Sequence, residues 1–253
     1  ECGGPPRIYS RQHNTGIRVV ECFCAVIAPW EGISVIERHI KPEVAAIFID
    51  VARGRRGIYA DDAAFEALLA EAKAAFEAAD PETAEIIRQF ARAEVPDGGV
   101  LFHGLTVDQD DMGESPRDPV AFEGKDRDPV TEAALLAFAS VAGEVFSFAR
   151  QHRGALIQNM TPIPGHEYDA VGTGSRSLLD WHSEDAFDDA HPQFVGLFCV
   201  RGDERVQTAL APVDRIDLTA EDEKVLREPR FMHGIDKASG GTGRPEDGVQ
   251  GAA

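Results

Sequence analysis

This chain of 253 residues contains no uninterrupted apolar run of about 18 residues, so it offers no segment of the length that a membrane-spanning helix needs. Basic residues are scarce: 25 Lys and Arg stand against 44 Asp and Glu, a formal net charge of −19. That balance disfavours nucleic acid as a partner, because contact with a phosphate backbone requires a basic surface. A small cationic or zwitterionic ligand suits such a surface better. Cysteine is sparse as well. Cys2, Cys22, Cys24 and Cys199 lack the dense, regular spacing of a secreted disulfide scaffold and read as reduced thiols of a cytoplasmic protein. Cys22 and Cys24 could supply half of a metal site, but no second Cys or His pair follows nearby, and a structural role is the simpler reading. There is no charged-then-apolar leader, the first residue is Glu1 rather than Met, and the final "GGTGRPEDGVQGAA" closes on no strand or helix signal. The expectation from these ends is a chain cut short, chiefly at the C-terminus.

What the chain does hold is enough apolar material, 43% of its residues, to bury the core of one large domain. Residues 1–40 read as an N-terminal tail followed by a strand, "IRVVECFCAVIAPW", that Pro29 stops. Residues 41–253 read as the N-terminal and central part of a single domain. Helical periodicity governs Pro42 to about Glu94, with Phe65, Leu68, Leu69, Ala72 and Phe76 on one face. Asp80-Pro81 is a helix start, the carboxylate capping free N–H groups and the proline presetting the first turn. The same device recurs at Asp128-Pro129, opening a helix over "VTEAALLAFASVAGEVFSFA" whose Leu135, Leu136, Phe138, Val145, Phe146 and Phe148 make a broad apolar face toward a core. Between the two, "GGVLFHGL" reads as a buried strand and Thr106 to Arg127 as a long surface loop of the kind that covers sites. After Gln151 the sequence turns to short strand-like segments, "ALIQNMTPI", "SLLDWH", "QFVGLFCV", "VQTALAPV" and "PRFMHGI". Helices followed by such a run predict an α+β domain whose strands form a sandwich or barrel.

The chemistry concentrates in "SLLDWHSEDAF", Ser177 to Phe187. If this segment is a strand, alternation turns His182 and Glu184 to one face and Trp181 to the other. An imidazole and a carboxylate on one face are two-thirds of the 2-His-1-carboxylate arrangement that holds Fe(II) with positions left open. The plain alternative is a solvated strand-end pair. The acidic cluster Glu184, Asp185, Asp188 and Asp189 could attract a guanidinium group, although Asp188 and Asp189 fit solvated turn positions better. Cys199 reads as a core residue and Trp181 as packing on the far side of the sheet.

Residues 178–213, "LLDWHSEDAFDDAHPQFVGLFCVRGDERVQTALAPV", preceded by "GALIQNMTPIPG", resemble the clavaminate synthase-like branch of the taurine dioxygenase superfamily. That branch includes hydroxylases of free arginine and asparagine. The resemblance spans roughly residues 60–235. It implies an Fe(II)- and 2-oxoglutarate-dependent oxygenase, using O2, on a double-stranded β-helix (jelly-roll) core with flanking helices. It further implies that His182 and Glu184 are metal ligands and that Thr208 binds the 2-oxoglutarate carboxylate. Gln151, with His152 as its neighbour, then helps to hold an amino-acid substrate together with Glu184. The expected substrate is a free or carrier-bound amino acid, with L-arginine foremost, hydroxylated at the β or γ carbon. The family also uses a distal His and an Arg on later strands, expected beyond the end of this chain; His233 lies too early to be that ligand. Two other classes stay open: a non-catalytic or incomplete homologue of the fold, and a cupin-like metal enzyme that uses no 2-oxoglutarate.

Overall fold

The computed structural model describes residues 16–22, 26–29, 35–95, 98–118, 127–149, 151–169, 174–178, 181–186, 188, 191–202, 207–211, 216–235 and 249–250. The helical half matches the periodicity. Helix α1 spans Pro42–Ala52, α2 Asp62–Ala79 and α3 Pro81–Ala91. Phe65, Leu68, Ala72 and Phe76 of α2 are buried as their spacing requires, and Leu69 packs against them from a partly buried position. These helices surround α5, Val130–Ala142, in which every residue from Thr131 to Val141 is buried. A helix sheathed on all sides cannot show one apolar stripe. The aromatic centre is Phe48, Phe76 and Phe138, with Phe138 edge-on to Phe76 at 4.8 Å between ring centroids and Phe102 stacked on it at 4.4 Å.

Asp80 caps α3 as expected. Its carboxylate accepts from the Thr83 amide at 3.0 Å and from the Thr83 hydroxyl at 2.8 Å, and both residues are buried. Asp80→Ala is expected to lower the unfolding free energy by about 1–2 kcal/mol in chemical denaturation. The device does not recur at α5. Pro129 itself occupies the cap position without a side-chain bond, and the Asp128 carboxylate instead accepts from Arg56 at 3.3 Å. Glycine at 143 ends α5, so "EVFSF" beyond it is not helical; Glu144–Val145 form the short strand β5.

Buried charge anchors the start of α5. Arg127 donates to both carboxylate oxygens of Glu132, at 2.8 and 2.6 Å, while the hydroxyls of Thr131 and Tyr59 donate at 2.9 and 2.7 Å. Glu132 is wholly buried and Arg127 nearly so. In the preceding loop Asp108 caps a single helical turn, α4, Gln109–Met112. Arg201 grips this turn: its guanidinium donates to the Gln109 side chain at 2.7 Å, to the Ser115 hydroxyl at 3.0 Å and to the Gly113 carbonyl.

The strands are short. Strand β1, Gly16–Cys22, pairs in parallel with β5, with β6 (Ile157–Met160) and with β7 (Phe194–Cys199). Strands β2 (Val26–Pro29) and β8 (Gln207–Leu210) form a parallel pair, as do β3 (Ile36–His39) and β4 (Val100–His103). Only β9 (Met232–His233) and β10 (Val249–Gln250) are antiparallel among the described residues. The mixed helix-and-strand class is therefore as expected, but these parallel pairings do not by themselves display a jelly-roll. Strand β4 is half-buried at one edge of a two-stranded sheet rather than fully buried. The sequence reading also passed over α6, Ala220–Leu226, announced by a capping box at Thr219 and Asp222. The Thr219 hydroxyl, then its amide, holds the Asp222 carboxyl below its ordinary value. Among the described residues no helix is long and apolar enough to cross a membrane.

Candidate metal and substrate site

Residues 181–186 are not a strand: Trp181 to Ser183 run irregularly into a turn at Glu184–Ala186. The convergence of His182 and Glu184 therefore does not come from strand alternation. The turn brings it about, with His182 Nε2 3.6 Å from Glu184 Oε2. The two side chains are 50% and 31% exposed, open enough to receive a ligand from solvent. Without a sheet at this point Trp181 has no far face to pack on, and it stands 57% exposed. Cys199 is exposed too, contrary to its expected place in the core: alternation along β7 turns Phe198 inward and Cys199 outward.

Could one metal ion touch both His182 and Glu184? Metal–nitrogen and metal–oxygen bonds of about 2.1 Å each span up to about 4.2 Å. A separation of 3.6 Å falls inside that limit. The donor set, imidazole plus carboxylate, suits Fe(II) without thiolate. The residues present thus fit a two-point hold on the ion. Among the described residues no group of three His, Cys, Asp or Glu forms that could hold a metal. His39 and His103 stack across β3 and β4 with ring centroids 4.8 Å apart. His233 lies in β9.

Gln151 arrives from the other side. The backbone folds tightly after Phe148: the Gln151 amide donates to the Phe148 carbonyl at 3.0 Å, and a single 3-10 turn follows at His152–Gly154. Gly154 has φ of +77° there, and the Ser147 hydroxyl donates to its carbonyl at 2.8 Å. This fold turns Gln151 inward to 1% exposure. Its amide nitrogen donates to Asp185 Oδ1 at 2.7 Å, and Asp185 is itself 6% exposed. Gln151 is thereby joined to the residue adjacent to Glu184. Sequence reasoning had placed Asp185 only in a general acidic cluster; its part as the partner of Gln151 was missed. A signal existed in its position, since Asp tolerates the left-handed backbone that a tight turn demands.

Asp188 is half-buried, and its carbonyl accepts from the His191 amide at 3.0 Å; Asp189 lies outside the described residues. Thr208 sits half-buried in β8, which among the described residues pairs with β2 and not with the sheet that holds β6 and β7. A cavity of about 300 Å³ lies elsewhere, lined by Arg88, Arg92, Val141, Gln193 and Phe194 among others. Its arginines are already matched, Arg88 by Glu77 at 2.6 Å and Arg92 by Glu94 at 2.7 Å.

No family model matches the chain. Among curated proteins it is 29% identical over 146 residues to an enduracididine beta-hydroxylase of Streptomyces hygroscopicus, and 30% identical over 140 residues to an L-ornithine/L-arginine 3-hydroxylase of Catenulispora acidiphila. Each match covers 55% of this chain and 41% of the relative, so the chain spans about two-fifths of the length of these relatives. Clavaminate synthase 2 of Streptomyces clavuligerus is 32% identical over 131 residues, 51% of this chain and 39% of that protein. Among solved structures, the non-heme iron oxygenase OrfP in complex with Fe, succinate and (3S)-hydroxy-L-Arg superposes with a TM-score of 0.64 at 27% identity, covering 83% of this chain and 61% of that one. OrfP in complex with Fe and alpha-ketoglutaric acid superposes at 0.52 with 26% identity, over 62% and 49% of the two chains. In sequence the chain is thus similar to amino-acid hydroxylases and to clavaminate synthase 2, and in fold to the non-heme iron oxygenase OrfP.

Proposed function

We propose that this protein is an Fe(II)- and 2-oxoglutarate-dependent oxygenase that hydroxylates an unactivated β or γ carbon of a free amino acid, with L-arginine the leading substrate. The observation that carries the reading is the meeting of His182 and Glu184 at 3.6 Å, joined through Asp185 to buried Gln151. Relatives that act on arginine, and the iron and alpha-ketoglutaric acid bound to OrfP, support the same reading. The superposition on OrfP likewise supports a double-stranded β-helix domain, to which β1 and β2, before residue 41, contribute by pairing with β5 to β8.

In this reading His182 Nε2 and a Glu184 oxygen hold the ion. Thr208 receives a carboxylate of 2-oxoglutarate, and Gln151 with Glu184 receives the ammonium end of the substrate. When bound, iron with 2-oxoglutarate supplies the oxidising chemistry, in which O2 is divided between succinate and the hydroxylated substrate while CO2 is released. The protein's own contribution is positional. Glu184 must be ionised both to ligate and to attract a cation, and the strongly acidic surface, −19 overall, favours the approach of a cationic amino acid.

Incubation with Fe(II), 2-oxoglutarate, O2 and L-arginine, followed by mass spectrometry, tests the activity. Hydroxyarginine and succinate are expected in equal amounts. Absence of both products with arginine, ornithine, asparagine and lysine would refute the proposal. Product formation without 2-oxoglutarate would favour a cupin-like enzyme instead.

A further inference from the structure

We infer that Cys22 and Cys199 form a redox modification site, a dithiol that an oxidant of the peroxide class closes to a disulfide across β1 and β7. The register of this parallel pair makes Cys22 and Cys199 direct partners. Register partners share one face of the sheet, on strands that lie about 4.8 Å apart. A disulfide spans Cα separations of about 4.4–6.8 Å. The two cysteines are also the last residues of their strands and the last rung of the ladder, so no later rung has to move when the sulfurs are drawn together. Cys2 and Cys24 lie outside the described residues.

The Cys199 thiol is placed to react first. It is free and exposed, on the face of β7 where Val195 and Leu197 are 41% and 42% exposed, while Phe198 turns inward. An oxidant in solution reaches a thiol in such a place, whereas a thiol sealed in apolar surroundings is inert. Glycine at 202 leaves the sulfur its room: a Cβ at that position would stand 2.9 Å from Cys199 Sγ, closer than packing allows. In the first step the Cys199 sulfur attacks one peroxide oxygen, the O–O bond breaks, water departs and Cys199 becomes a sulfenic acid. The Cys22 sulfur then attacks that of Cys199, the S–O bond breaks, and the hydroxyl leaves as a second water with the Cys22 proton. The two thiols have lost two electrons and the peroxide has gained them. The product closes most of the chain into one loop, which restricts the unfolded state and fastens β1 to β7 without any part for iron.

The test treats the purified full chain, with a chelator present, with one equivalent of hydrogen peroxide and maps its tryptic peptides without reduction. The expected product joins residues 19–38, which carry Cys22, to residues 177–201, which carry Cys199, with two hydrogens lost. Cys24 shares the first of these peptides, so Cys24→Ser is mapped as well and should keep the cross-link. Cys22→Ser and Cys199→Ser should each lack it. The oxidised wild type should unfold at a higher urea concentration than the reduced protein, a gain that dithiothreitol reverses and that both of these variants lack. Sulfinic acid at Cys199 without a cross-link, loss of the cross-link in Cys24→Ser, or pairing of Cys199 between two chains would overturn the inference.

Discussion

His182→Ala is expected to remove high-affinity Fe(II) binding. Loss of a mere supporting group around a metal typically weakens affinity by about ten- to a hundredfold, and loss of a ligand should exceed that. Glu184→Ala should match it, because the two donors stand 3.6 Å apart and one ion reaches both. Glu184→Asp should retain part of the affinity by keeping the carboxylate. His191 provides the internal comparison. It is exposed, lies close in sequence, and its Nδ1 is 3.1 Å from the Asp188 carbonyl. His191→Ala should leave iron affinity near that of the wild type, as read by competition with a chromogenic chelator.

Glu132→Leu is expected to be the most destabilising of the substitutions considered, by about 3–5 kcal/mol, because it abandons a buried guanidinium. Arg127 is 4% exposed and Glu132 fully buried, so neither charge can fall back on water when the other is removed. Arg127→Met should cost a similar amount, leaving the carboxylate with only the hydroxyls of Tyr59 and Thr131. The double variant Arg127→Met with Glu132→Leu should cost less than the two single changes added together, since two matched apolar groups leave neither charge behind. Urea denaturation of the four proteins measures this cycle. Additive losses would mean that the two side chains contribute independently, which their bidentate geometry at 2.6 and 2.8 Å argues against.

The pair also shows where the sequence was legible and where it was not. Local rules carried far in the helices: the spacing Phe65, Leu68, Ala72, Phe76 became a buried face, and Asp80-Pro81 became a capped helix start. They failed at Asp128-Pro129 because a distant residue, Arg56, competes for the aspartate. No window of sequence reveals that competition, nor the partnership of Arg127 with Tyr59 through Glu132. The strands were harder. Residues 157–160, 194–199 and 207–210 emerged where β-formers cluster, yet their parallel pairing with β1 and β2 depends on contacts across more than a hundred residues.

At the site, His182 and Glu184 meet as their types and spacing suggested, but a turn brings them together and no strand does. The alternation argument reached the right neighbours through the wrong local geometry. It also misplaced Trp181, since facing rules hold only where a strand exists, while Cys199, read as core from its residue type, is turned outward by the alternation of β7. Asp185 shows the opposite failing. Read as one carboxylate among four, it had no role of its own; tertiary contact with Gln151, 34 residues earlier, buries it and gives it a specific partner.

The central claim, that His182 and Glu184 hold iron together with 2-oxoglutarate, is tested most directly by the anaerobic visible spectrum of the purified protein with Fe(II) and 2-oxoglutarate. A charge-transfer band from the chelate is expected, lost in His182→Ala and retained in His191→Ala. A band of undiminished intensity in His182→Ala, or no band in the wild type, would contradict it.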